Sequence, residues 1–240
     1  MDFSKRHREA EMMDDLRLSS ADLKRTYRDI GRANRLLGGD RGILVALNRL
    51  ISKNVQKNYS IIDVGCGDGT LLRKIDRFFR KRGLQVHLKG IDLNEKAIAL
   101  AKESSANHPA IEYAVVDMLQ KEPLHLTGDI VISTLTLHHI SEEHVPFFLE
   151  RLVKMTRMAI IISDLQRSWF AYLLFKLFSV IFIQTKIAKN DGLVSIRSGF
   201  RKKELLRYSK RLSGLDHEIR SKWAFRYVWL MQIKRQTAHE

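Results

Sequence analysis

Apolar and polar positions along this 240-residue chain switch between helical and strand periods, and the switching divides it into elements. Residues 5–37 place Met12, Met13, Leu16, Leu23, Tyr27 and Ile30 near helical spacing, and Ser19-Ser20-Ala21-Asp22 offers a capping-box-like start to the second piece. Leu36-Leu37-Gly38-Gly39 breaks it. A further helix over 41–52 gathers Ile43, Leu44, Leu47, Leu50 and Ile51 on one stripe. Tyr59 to Asp63 then reads as a buried strand, followed by a basic amphipathic helix from Leu71 to Lys81 that stops at Gly83. Val86 to Asp92 alternates like a strand, and Asn94 caps a helix to Ala101. Strands are expected at Ile111–Val116, Asp129–Thr134 and Met158–Ser163, with a helix at Glu142–Met155 before the last.

This alternation is the signature of an α/β fold whose parallel sheet is built from βαβ units. Ligands in such sheets bind beyond the carboxyl ends of the strands. Asp63, Asp92, Asp117 and Asp164 end four of the strands and would line that edge. From Leu165 the pattern changes. Trp169 to Ile183 is apolar except for Lys176 and Ser179, and it is shorter than a bilayer span. So greasy a helix must face the core, a second copy of the chain in a homodimer, a membrane surface or a hydrophobic ligand. Asn190-Asp191-Gly192 reads as a turn, Phe200–Leu212 as a basic helix, Asp216–Lys222 and Trp223–Ile233 as a closing strand pair, and His239-Glu240 as a loose tail. The domain organisation is a helical N-terminal cap over 1–54 and a main domain over 55–240, with an apolar helical insertion at about 166–187.

Composition changes this picture in two respects. Cys66 is the single cysteine, so there is no intramolecular disulfide framework, and the charged N-terminus lacks the apolar core of a secretory signal. Both point to the cytoplasm. The net charge of +15 favours phosphates, anionic lipid surfaces (hence a peripheral membrane position) or acidic partners. Its basic residues are spread along the chain, without the aromatic interleaving of a nucleic-acid platform, so nucleic acid is disfavoured as a partner.

The candidate chemistry centres on Asp63-Val64-Gly65-Cys66-Gly67-Asp68-Gly69. Glycines at alternate positions between strand and helix permit positive φ and close approach of backbone to a ligand. A dinucleotide fingerprint has two residues between its second and third glycines, whereas Asp68 stands alone here. This spacing resembles the first motif of class I S-adenosylmethionine-dependent methyltransferases. The resemblance implies a Rossmann-like, seven-stranded, mostly parallel sheet with a C-terminal antiparallel hairpin and helical N-terminal cap. It implies S-adenosylmethionine as cofactor and S-adenosylhomocysteine as product. Asp63, Gly65, Cys66 and Gly67 would form the cofactor loop. Asp92, with Leu93 beside it, would hold the ribose diol, Asp117 and Met118 the adenine, and Ser133 would stand at the end of the fourth strand near the transferred methyl.

The acceptor is less closely defined. The Asn/Asp-Pro-Pro-aromatic tetrapeptide of amine-directed enzymes is missing after the fourth strand, where Leu137-His138-His139-Ile140 stands instead. This stretch resembles small-molecule and quinone-type methyltransferases. It implies methylation of a lipophilic phenol, quinone or polyketide in secondary metabolism, with oxygen favoured over carbon or nitrogen as the methylated atom. His138 and His139 are candidate general bases, of which one enters the site; His139 fits the more recurrent family position, while the pair alternatively caps the loop before the next helix. Asp164 is a second base or orienting acid. Tyr27, Arg32, Asp191 and Arg197 are candidate acceptor contacts, and no metal is expected. The alternative readings are an RNA methyltransferase and a non-catalytic S-adenosylmethionine-binding protein.

Overall fold

In the computed structural model, residues 2–15 and 17–234 are described; Leu16 of the predicted stripe and the His239-Glu240 tail lie outside them. The β-branched run of β1 (Asn58–Val64) buries Ile61, Ile62 and Val64 on both faces, as a central parallel strand requires. α3 (Thr70–Arg80) follows and packs Leu72, Ile75 and Phe79 onto the sheet. β2 (Gln85–Asp92), α4 (Glu95–Ser104) and β3 (Ile111–Val115) build outward on one side. Asn94 caps α4 by accepting from the Lys96 and Ala97 amides. The chain then crosses to β4 (Gly128–Thr134), α5 (Val145–Met155) and β5 (Thr156–Leu165) on the other side. β6 (Leu215–Lys222) and β7 (Arg226–Ile233) close the sheet, in the order β3-β2-β1-β4-β5-β7-β6, with β7 antiparallel to both neighbours. The seven-stranded, mostly parallel sheet with a C-terminal hairpin is therefore present. Two apolar layers cover its faces, one centred on Leu72 and Phe79, the other on Phe148 and Trp229.

The N-terminal region differs from its expected course. α1 begins at Ser20 and runs to Leu36, capped by Ser19; α2 spans Arg41–Lys53. Ahead of α1, the described residues form an extended strap with one short 3₁₀ turn, Met12–Asp14. Helix formation is overridden there because polar groups of the strap are engaged by distant partners. The Met12 and Met13 amides donate to the two carboxylate oxygens of Asp191, at 2.9 Å each. Arg6 donates to the carbonyls of His138 and Ile140, at 2.9 Å each. Arg167, itself fully buried, donates to the carbonyls of Phe3 (3.0 Å) and Gly199 (2.6 Å) and pairs with Glu204 at 2.5 Å.

The predicted turn at Asn190-Asp191-Gly192 is likewise absent: α7 (Lys186–Ser198) passes straight through it. Gly192 serves close packing instead. A Cβ there would stand 2.2 Å from the Phe175 ring of α6 (Trp169–Phe182), so glycine lets the two helices cross tightly. Buried Asp29 of α1 accepts from the amides of Gln184 (2.9 Å) and Thr185 (2.7 Å) at the α6–α7 junction. The basic helix is shorter than expected, α8 spanning Lys202–Ser209.

The strap depends on its buried guanidinium. Arg167→Ala is expected to lower the unfolding free energy by about 3–5 kcal/mol, because the carbonyls and Glu204 lose their donor inside the protein. Urea denaturation measures this, and a loss below about 1 kcal/mol would mean that the strap is held by its other contacts.

Candidate active site

The loop from Gly65 to Gly69 lies at the carboxyl edge of the sheet, where β1 and β4 are neighbours and the chain leaves them in opposite directions. Gly65, Gly67 and Gly69 all have positive φ, at 74°, 54° and 74°. The space above the loop is as restrictive as the backbone, since a Cβ on Gly65 would meet Thr136 Oγ1 at 2.1 Å and one on Gly67 would meet the Tyr27 ring at 2.8 Å. Asp92 braces the loop. Its Oδ2 accepts from the Gly67 amide at 2.8 Å and its Oδ1 from the Asn94 amide at 2.9 Å. Each oxygen keeps a lone pair for a diol. Burial raises the Asp92 pKa, against the lowering effect of those two amides.

A cavity of about 760 Å³ opens over this loop, within the range of small-molecule sites. Asp63, Gly65, Cys66, Gly67, Asp92 and Leu93 line one end, joined by Asp117 and Met118. Asp117 Oδ1 accepts from the Leu119 amide at 2.7 Å. Buried polar atoms without a hydrogen-bond partner on residues of this cavity include Asp63 Oδ1 and Arg226 Nη1, along with Thr134 Oγ1 and His138 Nε2. Desolvation, reinforced by Asp92 and Asp40, lifts the Asp63 pKa to about 8, and burial lowers that of Arg226. An orphan acceptor and an orphan donor match the ammonium and carboxylate of an amino acid. With the glycine cradle and Asp92, they fit the cofactor that the sequence implies.

Ser133 does not line the cavity. It is fully buried within β4 with its hydroxyl unpaired, and the next residue, Thr134, faces the cavity instead, as strand alternation dictates.

The opposite end is walled by α6 and α7, with Leu174, Phe175, Phe178 and Ile196 facing inward. Between the two ends lies a polar corner. His138, 2% exposed at its side chain, places Nδ1 2.7 Å from Asp164 Oδ1, while its Nε2 stands 3.4 Å from Glu11 Oε1. Burial alone would lower the His138 pKa, but Asp164 and Glu11 outweigh it and raise it to about 10. The ring is an imidazolium between two carboxylates, so at neutral pH His138 has no lone pair with which to remove a proton. Asp164 is corrected in the same way. It is buried behind His138, accepts from the His138 and Leu165 amides as well as the ring, and does not line the cavity, so it acts by positioning. Despite burial, His138 keeps the Asp164 and Glu11 carboxyls below their usual range. His139 does line the cavity, with Nδ1 3.2 Å from Asp14 Oδ2.

The four candidate acceptor contacts separate. Tyr27 lies in the cavity, over Gly67 at the cofactor end. Asp191 reaches the cavity, but both its oxygens are engaged by the strap amides. Arg32 points away, donating to the Phe182 carbonyl at 3.1 Å, and Arg197 is turned to His7 at 3.0 Å. These two are structural ties. Glu11 was missed altogether: it lies among polar residues of an apparently helical stretch, and no local pattern marks it.

Residues 61–158 match the family model described as a methyltransferase domain. A phosphoethanolamine N-methyltransferase 1 from Triticum aestivum is 28% identical over 159 residues, which is 65% of this chain; the chain spans about 30% of that relative's length. Among solved structures, magnesium protoporphyrin IX methyltransferase from Synechocystis PCC 6803 with bound S-adenosylhomocysteine superposes with a TM-score of 0.63 at 15% identity, covering 90% of this chain and 95% of that one. The plantazolicin methyltransferase BpumL, in complex with a triazolic desmethylPZN analog and S-adenosylhomocysteine, gives 0.66 at 15% identity, covering 93% and 98%. At such identities the likeness to the solved structures is one of fold.

Asp92→Ala is expected to weaken S-adenosylhomocysteine binding by about 10²-fold or more, since it removes charge-assisted hydrogen bonds. Calorimetry decides this, and an unchanged Kd would remove the cofactor assignment. Asp63 generates a pH prediction. With its folded pKa about 8 against an ordinary 3.8, its contribution to stability is complete below the lower value and declines as pH rises to the higher. Asp63→Asn should therefore stabilise the cofactor-free chain more at about pH 9 than at about pH 4, in paired urea titrations; equal effects at both would contradict the raised pKa.

Proposed function

We propose that this chain, a class I S-adenosylmethionine-dependent methyltransferase, transfers the cofactor's methyl group to a small lipophilic aromatic acceptor, with oxygen as the favoured atom. The observation that carries this reading is the two-ended cavity: a polar cofactor cradle continues into walls of Leu174, Phe175 and Phe178, with one polar corner between them. The bound cofactor supplies an electrophilic methyl on a sulfonium. The chain's own task is then positioning, because an in-line displacement needs the acceptor atom about 3 Å from the methyl and on its axis. Asp92, Asp63 and the glycine loop hold the donor. The apolar walls hold a ring and exclude water, and the corner of Glu11, His138 and His139 receives the acceptor's hydroxyl. Phenols, quinones and polyketides, as made in secondary metabolism, have this combination of flat apolar body and single polar handle.

The outer face of α6 supports a second element of this reading. Leu177, Val180 and Ile181 are all more than half exposed, with Trp169 and Phe170 at the start of the same helix. No helix among the described residues is long and apolar enough to cross a membrane. In a chain of net charge +15, this greasy helix suits the surface of an anionic bilayer, from which a lipophilic acceptor would enter between α6 and the hairpin. A cytoplasmic enzyme in peripheral contact with membrane is the corresponding location.

Incubating the chain with methyl-labelled cofactor and a metabolite extract of its source cell should label a lipophilic, aromatic product; label confined to RNA or protein would overturn the acceptor class. For the membrane contact, the chain should co-float with vesicles containing anionic lipid and less with neutral ones. Replacing Val180 and Ile181 together by glutamate should abolish flotation while leaving S-adenosylhomocysteine binding intact. Flotation unchanged by that pair would place the contact elsewhere.

A further inference from the structure

The polar corner has a feature that general-base chemistry does not need. His138 and His139 lie with ring centroids 4.3 Å apart, and both turn Nε2 toward the same carboxylate: His138 Nε2 is 3.4 Å from Glu11 Oε1 and His139 Nε2 is 3.8 Å from Oε2. Both turn Nδ1 away, toward a second carboxylate, Asp164 at 2.7 Å and Asp14 at 3.2 Å. His138 Nε2 is buried and makes no hydrogen bond of acceptable geometry. The Ser195 hydroxyl donates to Glu11, and Asp191 fixes the two amides that follow it, so the carboxylate is held in place.

We propose that Glu11, His138 and His139 form a binding site for a divalent transition-metal cation of the zinc type. Two imidazoles and one carboxylate are a donor set suited to zinc, with remaining coordination positions open. Donors about 2.1 Å from one ion at a tetrahedral angle lie about 3.4 Å apart, which is the His138–Glu11 spacing. The ligand atoms of all three residues lie within 4.8 Å of one another. A carboxylate behind each imidazole, on the nitrogen remote from the ion, is the outer arrangement that orients histidine ligands and sets their tautomer. All three ligands line the cavity, and the open positions accept an anionic acceptor oxygen. That last role rests on the proposed methyl transfer; the cation site itself does not.

The test uses the full chain after treatment with chelator, titrated with zinc and with cobalt(II) as a spectroscopic stand-in. One equivalent should bind, with the strong visible ligand-field absorption of four-coordinate cobalt. Glu11→Gln and His139→Ala should each weaken binding by about 100-fold, and Asp164→Asn by about 10-fold, the positioning residue acting through His138. S-adenosylhomocysteine binding, measured on the same samples, confirms that each variant is folded and separates failure of the cation site from failure of the methyltransferase reading. Absence of stoichiometric binding would overturn the proposal. So would binding that neither Glu11→Gln nor His139→Ala changes. If Glu11→Gln does not fold, His139→Ala, at a partly exposed ring, decides alone.

Discussion

β1 and β4 lie side by side, but the chain leaves them in opposite directions, to β2 on one side and β5 on the other. That parting keeps a crevice open at the carboxyl edge, because no connection crosses it. The loop after β1 must then turn within one residue of the strand end and stay low enough for a ligand to lie over it. Positive φ at Gly65, Gly67 and Gly69 achieves the turn, and Asp92 holds the loop down through the Gly67 amide. The cavity, the orphan Asp63 oxygen and the acids at the strand ends all follow from that geometry.

What closes the crevice comes from far away in sequence. The strap before α1 and the α6–α7 insertion are separated by more than a hundred residues, and buried charged groups join them. Asp191 of α7 holds two strap amides, Asp29 of α1 caps the α6–α7 junction, and Arg167 collects carbonyls from both regions. Each joint satisfies backbone groups that would otherwise be buried without partners. The strap and the insertion are thereby ordered as parts of the domain, and one strap residue, Glu11, is delivered to the cavity.

The histidine pair shows how environment assigns chemistry. Two adjacent, identical side chains differ in surroundings: His138 is buried between Asp164 and Glu11, whereas His139 is more exposed and leans on Asp14. Neither assignment follows from the residue type. Both follow from which carboxylates the fold brings to each ring, and the same carboxylates turn both Nε2 atoms to one point.

The sequence by itself determined the features that depend on neighbours along the chain. The alternation of periods specified a parallel sheet, glycine spacing specified the cradle, and the acids Asp63, Asp92 and Asp117 at strand ends marked the cofactor edge, because strand and turn chemistry is local. The closing hairpin was legible for the same reason. Only tertiary structure decided that the strap is extended, that Asn190-Asp191-Gly192 is helical, and that Arg32 and Arg197 are ties. It also decided that Ser133 faces away from the cavity while Glu11 faces into it. Those outcomes turn on contacts between residues distant in sequence, where an amide taken by Asp191 outweighs helix propensity and a ring beside Gly192 outweighs a turn signal. The cradle was written locally. The corner beside it exists only once the two ends of the chain meet.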